Sequence, residues 1–438
     1  MRKSLVLGAG LLLLQIPLLA LALLQAQTWG GAFTDEANEI AFASDGSVYV
    51  AGTTESADGD RDAVVLKYGP NRELVWTRTY GLPQSDAGFA DEFATGLAVD
   101  AANNAYVTGQ FGTGVLFLAK FSSDGDLVWD TTWGLNGTIG TSAAIDAAGN
   151  VYVAGLSFAI DGGANDSEAL LLKFTPDGAV AWARAWGGAG FDAGRAVTVG
   201  ADGGIYMAGE TNSFFANDGF VVKFNDLGDV VWERDWGVDG VQAPFTGLTS
   251  VFGIAGDGLG NVYITGNTSD SGHLKNIILV KFNSAGSLLW DRVGGPGFGN
   301  GSDVAVSADN TAVFVSGNIL SDDPDFFGGS AFVAEFTADG KAKKANTWGG
   351  DPNDSASAES LAIDASGLIV TAGSVGPAPH QFGRASNSAR KADTHLVIPE
   401  GSHTLILDPT AGADSGALLV PDANVGGGID AFTLWIQR

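Results

Sequence analysis

Apolar residues in this chain fall in short runs separated by turns rich in Gly, Asp and Asn, and the runs form two alternating phrases. The first, Lys-Phe-x-x-x-Gly-x-x-x-Trp-x-x-x-Trp, reads Lys120-Phe121 to Trp129 and Trp133, and returns at Lys173-Phe174 to Trp186 and Lys223-Phe224 to Trp236. Variants run from Lys67-Tyr68 through Trp76 to Tyr80, from Lys281-Phe282 through Trp290 to Gly294, and from Glu335-Phe336 to Trp348 with Lys344 at the middle Trp position. The second phrase, aromatic-x-small-Gly, runs from Tyr49 to Gly52, then ends at Gly109, Gly155, Gly209, Gly266, Gly317 and, after Val370, at Gly373. These glycines are 57, 46, 54, 57, 51 and 56 residues apart. A period of about 50 residues built from short β-type runs marks the blades of a propeller.

The third repeat shows the pattern within one blade. Ala143–Asp146 is a short run of small and apolar residues, and Asp146-Ala147-Ala148-Gly149-Asn150 is a turn. Val151–Gly155 is a β-branched and aromatic strand, Ala169–Phe174 a third, Pro176-Asp177-Gly178 a turn and Ala179–Trp186 a fourth. The small first strand suits the crowded innermost position, and the recurring Trp and Tyr fill the gaps between blades. The chain is therefore predicted to be all-β, a seven-bladed β-propeller of four-stranded antiparallel blades. The seventh repeat ends at Arg438 without a fourth strand, whereas Thr28-Trp29-Gly30-Gly31 precedes the first repeat and matches the blade-ending Trp186-Gly187-Gly188. The N-terminal strand is expected to close the ring against Asp430–Ile436.

Ahead of that strand, Arg2 and Lys3 precede an apolar run from Leu5 to Leu24. This is the order of a secretory signal peptide over 1–26, with Ala20-Leu21-Ala22 and Leu24-Gln25-Ala26 both fitting a cleavage site near 22 or 26. The run is also long enough to be retained as an anchor. Cleavage leaves a propeller at 27–438 with no membrane span, secreted, on the cell surface or in the periplasm.

Charge narrows the partners. Lys and Arg number 22 against 50 Asp and Glu, a net charge of −28. Such a field repels phosphate backbones, which argues against nucleic acid. Cysteine is absent, which removes disulfides and thiolate chemistry. Arg78, Arg184, Arg234 and Arg292, like Lys67, Lys120, Lys173, Lys223 and Lys281, recur with the repeat, so they form no converging basic cluster.

The phrases Asp146–Gly155 and Lys-Phe-x-x-x-Gly-x-x-x-Trp resemble the prokaryotic SBBP family of seven-bladed β-propeller repeats. The resemblance covers nearly all of the mature chain. It implies a secreted or surface-exposed propeller, and it carries no catalytic motif that maps onto these residues.

Candidate chemistry lies in the loops. Those between second and third strands share a face with the blade-to-blade loops, and many are acidic, as in Asp58–Asp62 and Asp322–Asp325. Entries to first strands add Asp35-Glu36, Asp91-Glu92, Asp192, Asp303 and Asp354, so one face of the disc is expected to be strongly negative. Asp58, Asp60 and Asp62 have the alternate spacing of Ca²⁺ ligands, with Asx turns as the plainer account and no distal glutamate in support. The seventh blade carries an insertion at about 376–428: Gly373 to Trp435 spans 62 residues, where the other blades use 11 to 18. It holds Arg384, Arg390, His395 and His403, which makes it a candidate binding loop over the channel mouth.

Two function classes follow. One is a non-enzymatic binding or scaffold module for an extracellular polysaccharide or protein. The other is an extracellular propeller hydrolase or lyase acting on a polysaccharide, for which plentiful acids could supply a carboxylate pair.

Overall fold

The computed structural model describes residues 25–30, 33–57, 59–81, 91–112, 114–135, 137–158, 166–213, 218–236, 249–269, 275–294, 299–320, 329–348, 354–377, 395–397, 404–408 and 430–437. They form seven antiparallel blades of four strands arranged as a closed ring. Six blades run through consecutive strands, as in blade 3: Thr138–Ile145, Val151–Ser157, Glu168–Phe174 and Val180–Trp186. The first strand of each blade is innermost, as expected, and begins further ahead of the turn than the short apolar run suggests. In chain order these inner strands are Asp35–Phe42, Glu92–Val99, Thr138–Ile145, Asp192–Val199, Thr249–Gly256, Gly299–Val306 and Asp354–Ile363.

Closure follows the sequence expectation. Gln25–Trp29 pairs antiparallel with Asp430–Gln437, with Thr28 opposite Phe432 and Trp29 opposite Ala431. The seventh blade is thus assembled from the chain's two ends, and their pairing closes the ring.

The glycine phrase has a specific cause. Each inner strand carries a β-bulge, between Ala37 and Glu39 in blade 1 and at the equivalent place in the other six. The blade glycine lies across from it. A Cβ on Gly52, Gly109, Gly155, Gly209, Gly266, Gly317 or Gly373 would overlap a backbone carbonyl oxygen of the inner strand, that of Glu36, Phe93, Ile139, Ala193, Ser250, Asn300 or Ser357. Only a residue without Cβ lets the second strand approach the bulged one so closely.

The Lys, Trp and Arg positions join one blade to the next. Trp232 Nε1 donates to Ser284 O at 3.0 Å, Lys223 Nζ to the same oxygen at 3.0 Å, and Arg234 Nε to Gly286 O at 2.7 Å. Both acceptors belong to the turn between third and fourth strands of the following blade. Arg78, Arg184 and Arg292 repeat the bond to Gly125, Gly228 and Gly340 at 2.8 Å each. Within blades 1 to 5 the Trp also meets the second-strand Tyr edge-on or tilted, from Tyr49–Trp76 at 5.7 Å to Tyr152–Trp182 at 6.0 Å. These aromatics are packing elements, as their recurrence implies.

Blade 6 departs at all three positions, which are Glu335, Lys344 and Asn346. Its neighbour is blade 7, whose third and fourth strands are separate chain ends and so have no turn between them to grip. Glu335 instead pairs with Lys343 and Lys344 at 3.1 and 3.7 Å. On the far side of blade 7, Gln27 Nε2 donates to Arg72 O at 2.8 Å and takes over the arginine's part.

The described part of the insertion is a hairpin, His395–Val397 with Thr404–Asp408. It extends the outer edge of blade 5, where Thr404 and Leu405 lie parallel to Val293 and Gly294, rather than covering the channel mouth. Nor is acidity confined to the loop face. Asp45, Asp100, Asp146, Asp257 and Asp364 occupy turns of the opposite face, where Asp146 Oδ1 accepts the N–H groups of Ala148 and Asn150.

Candidate functional site: the axial channel

The seven bulges converge on the ring axis. The extra residue of a bulge has no partner in the ladder, so its side chain is not committed to the sheet. In blade order these residues are Asn38, Thr95, Thr141, Arg195, Phe252, Ser302 and Glu359, and all seven line an axial cavity of about 480 Å³. The volume suits a small polar molecule or a short stretch of polymer.

The lining divides into two arcs. In blades 1 to 3 the bulge residue binds the next blade: Asn38 Nδ2 donates to Ala94 O at 2.9 Å, Thr95 Oγ1 to Gly140 O at 2.6 Å and Thr141 Oγ1 to Gly194 O at 2.7 Å. From blade 4 onward the side chains change. Arg195 turns to Glu210 of its own blade, donating from Nε at 2.9 Å, while Ser250 Oγ holds the other oxygen of Glu210 at 2.7 Å. Phe252 has no group to donate. The carboxyl of Glu359 is pushed up by burial first and by the charge of Glu36 second, against a hydrogen bond from Ser357 of its own blade. Four consecutive positions thus give the lumen a cation, an aromatic ring, a hydroxyl and a carboxyl instead of a blade-to-blade bond.

The residue after each bulge adds a second set. Ser360 Oγ lies 2.6 Å from Glu39 Oε1 and 3.0 Å from Asp303 Oδ2, so two carboxyls from blades 1 and 6 meet at one hydroxyl of blade 7. Leu361 N donates to Asp303 Oδ2 at 2.9 Å and Val304 N to Oδ1 at 2.7 Å. Burial, then the charge of Asp303, pushes the Glu39 carboxyl up to about 8; burial pushes Asp303 up to about 6.

These carboxyls correct the sequence expectation. Asp303 is not an entry residue of the loop face but part of the channel wall. Asp35 and Asp192 do begin inner strands, yet at 1% and 0% exposure they are buried braces: Thr54 Oγ1 donates to Asp35, Ser213 Oγ to Asp192.

The other sequence candidates do not gather at the channel. Asp62 opens the third strand of blade 1 opposite Thr54, with its carboxyl raised by burial and then by Asp60. Asp58 lies outside the described residues, and among those described no group of three or more His, Asp or Glu side chains is placed to hold a metal ion. Arg384, Arg390 and His403 also lie outside them, while His395 is placed in register with Asp408 in the hairpin beside blade 5.

An aromatic pair on the loop face went unnoticed in the sequence. Phe158, 38% exposed, lies 6.4 Å from Phe191 between blades 3 and 4. The loop carrying Phe191 is held from both blades, Gly190 N donating to Asp166 Oδ1 at 2.8 Å and Phe191 N to Asn212 Oδ1 at 2.5 Å. The channel residues did leave a signal: each bulge residue stands fourteen positions ahead of its blade glycine (52 − 38 = 14), and fifteen in blade 6.

No protein-family model matches this chain, and no curated protein matches it in sequence. Among solved structures, a chain in the crystal structure of the mitotic checkpoint complex is similar over 84% of this chain and 95% of its own. The TM-score is 0.50 at 9% identity, a likeness of fold.

Proposed function

We propose that this chain is a secreted or cell-surface propeller of the prokaryotic SBBP type, a non-enzymatic module that binds a polysaccharide in its axial channel. The observation that carries this reading is the run Arg195, Phe252, Ser302, Glu359, where the repeat gives up its structural bond for side chains suited to hydroxyl-rich ligands. Carboxylates and amides accept from and donate to sugar hydroxyls, and an aromatic face stacks on a pyranose ring. A folded protein partner does not fit a cavity of about 480 Å³, which favours the glycan over the protein. Phe158 and Phe191 would extend the contact on the loop face. The apolar segment 5–24 serves export on this reading.

The hydrolase or lyase alternative has one observation in its favour, the close Glu39–Asp303 pair. Both carboxyls are already engaged by Ser360, and Asp303 also by two backbone N–H groups, which leaves little freedom to act on a glycosidic bond. A polysaccharide array read alongside a reducing-end assay separates the two. The expected result is binding without release of new ends, weakened about tenfold or more in Phe252→Ala and Arg195→Ala, since loss of a stacking or charged contact costs about 1–3 kcal/mol. Binding unaffected by either substitution would overturn the channel site, and catalytic release lost in Glu39→Gln would install the enzyme reading instead.

A further inference from the structure

The joint between blades 6, 7 and 1 poses a counting problem in protons. At the blade 3–4 joint the residue after the bulge is Ser142, whose Oγ simply accepts from Val197 N at 3.3 Å. At the corresponding place blade 6 has Asp303, blade 7 Ser360 and blade 1 Glu39. Ser360 Oγ accepts from Ile40 N at 3.3 Å and stands within hydrogen-bond distance of both carboxyls, at 2.6 and 3.0 Å. A hydroxyl has one hydrogen to give. With both carboxyls ionised, one of these contacts would set lone pair against lone pair in a poorly solvated wall. A second hydrogen on one carboxyl satisfies all three oxygens at once.

We infer that this joint is a proton-operated latch: a proton held between Glu39, Ser360 and Asp303 bonds blade 7 to both neighbours, and its loss loosens the closing blade. No cation stands on the strands that make the joint. The three inner strands at the joint contain no Lys or Arg, and the other ionisable groups on them are acids: Asp35 and Glu36 in blade 1, Asp354 and Glu359 in blade 7. The second strand of blade 1 adds Tyr49 and Glu55 and the inner strand of blade 2 adds Glu92, while the second strands of blades 6 and 7 carry no ionisable group. Behind the joint, the third strand of blade 5 carries Lys275 and Lys281, the latter paired with Asp257, and the third strand of blade 6 carries Glu335, paired with Lys343 and Lys344. Arg195, the cation of the channel lining, sits on blade 4 and is paired with Glu210. The blade at stake is the one completed non-covalently by Gln25–Trp29.

The direction with pH follows from burial. A carboxyl whose folded pKa is raised is protonated in the folded chain while the unfolded chain has already released its proton. Stability from it is therefore complete below the ordinary carboxylate range and lost as pH rises through the folded value, about 6 for Asp303 and about 8 for Glu39. The latch is closed in mild acid and open in mild alkali.

Hydrogen exchange of the full chain, corrected for intrinsic rates and compared at about pH 5.5 and about pH 9, tests this. Strands Gln25–Trp29 and Asp430–Gln437 are expected to lose about tenfold or more of their protection at the higher pH, while Val151–Ser157 of blade 3 holds its own. In Glu39→Gln, which keeps an acceptor and a donor at the joint, the loss should vanish. Equal loss in all blades, or the same loss in Glu39→Gln, would overturn the latch. The wild-type infrared spectrum at neutral pH gives a check that needs no variant: a protonated carboxyl band must be present there, and its absence would also overturn it.

Discussion

Replacing Arg234 by alanine removes one blade-to-blade staple, and the structure sets the size of the effect. The guanidinium donates to Gly286 O at 2.7 Å and lies 5.5 Å from the Trp232 ring. A hydrogen bond from a charged donor contributes about 1.5–3 kcal/mol, and a partly exposed one falls near the lower end. The stacking adds about 0.5 kcal/mol. The expected cost is about 2 kcal/mol, read as a fall in the urea midpoint at constant slope, with tryptophan fluorescence as the signal. The control is Asn346→Ala. Asn346 stands opposite Val333 as Arg234 stands opposite Val221, but the next blade offers it no turn. Its loss should therefore stay within about 0.5 kcal/mol, as for an ordinary surface change. If Asn346→Ala cost as much as Arg234→Ala, the bond to the following turn would not be what the arginines contribute.

Two further outcomes follow from the fold. Deleting 430–438 should destabilise the whole ring in thermal unfolding, because it removes the partner of Gln25–Trp29, whereas deleting an equal length around Asn387 should cost little. Gly209→Ala should lower stability by more than about 3 kcal/mol or block folding, since its Cβ would overlap the Ala193 carbonyl oxygen, and normal melting of that variant would refute the bulge account.

The fold was legible because its packing residues recur: Gly does the same job in every blade and Tyr and Trp in blades 1 to 5, so repetition exposes them. The inner strands were only half legible. In blade 3 the apolar run Ala143–Asp146 marks the second half of Thr138–Ile145, and the bulge between Gly140 and Ser142 breaks the two-residue alternation by which the first half would be recognised. The same break hid the site. Arg195 and Glu359 fall at the irregular position, where no alternation marks them as facing the axis, and Asp303 reads as one more acid at the entry to a first strand. What set them apart was pairing across a strand, which spacing from the blade glycine encodes but composition does not.

The bulge also separates two kinds of symmetry. The frame is nearly sevenfold, and rotating it by one blade would leave most packing contacts intact. Its lining has a compass direction. Glu39, Asp303 and Glu359 belong to blades 1, 6 and 7, and in a ring of seven Arg195 on blade 4 stands across the axis from them. A guest in the lumen would therefore meet different chemistry at each azimuth and have one preferred heading. Because a bulge residue owes nothing to the ladder, that heading can be rewritten one blade at a time while the frame stays as it is.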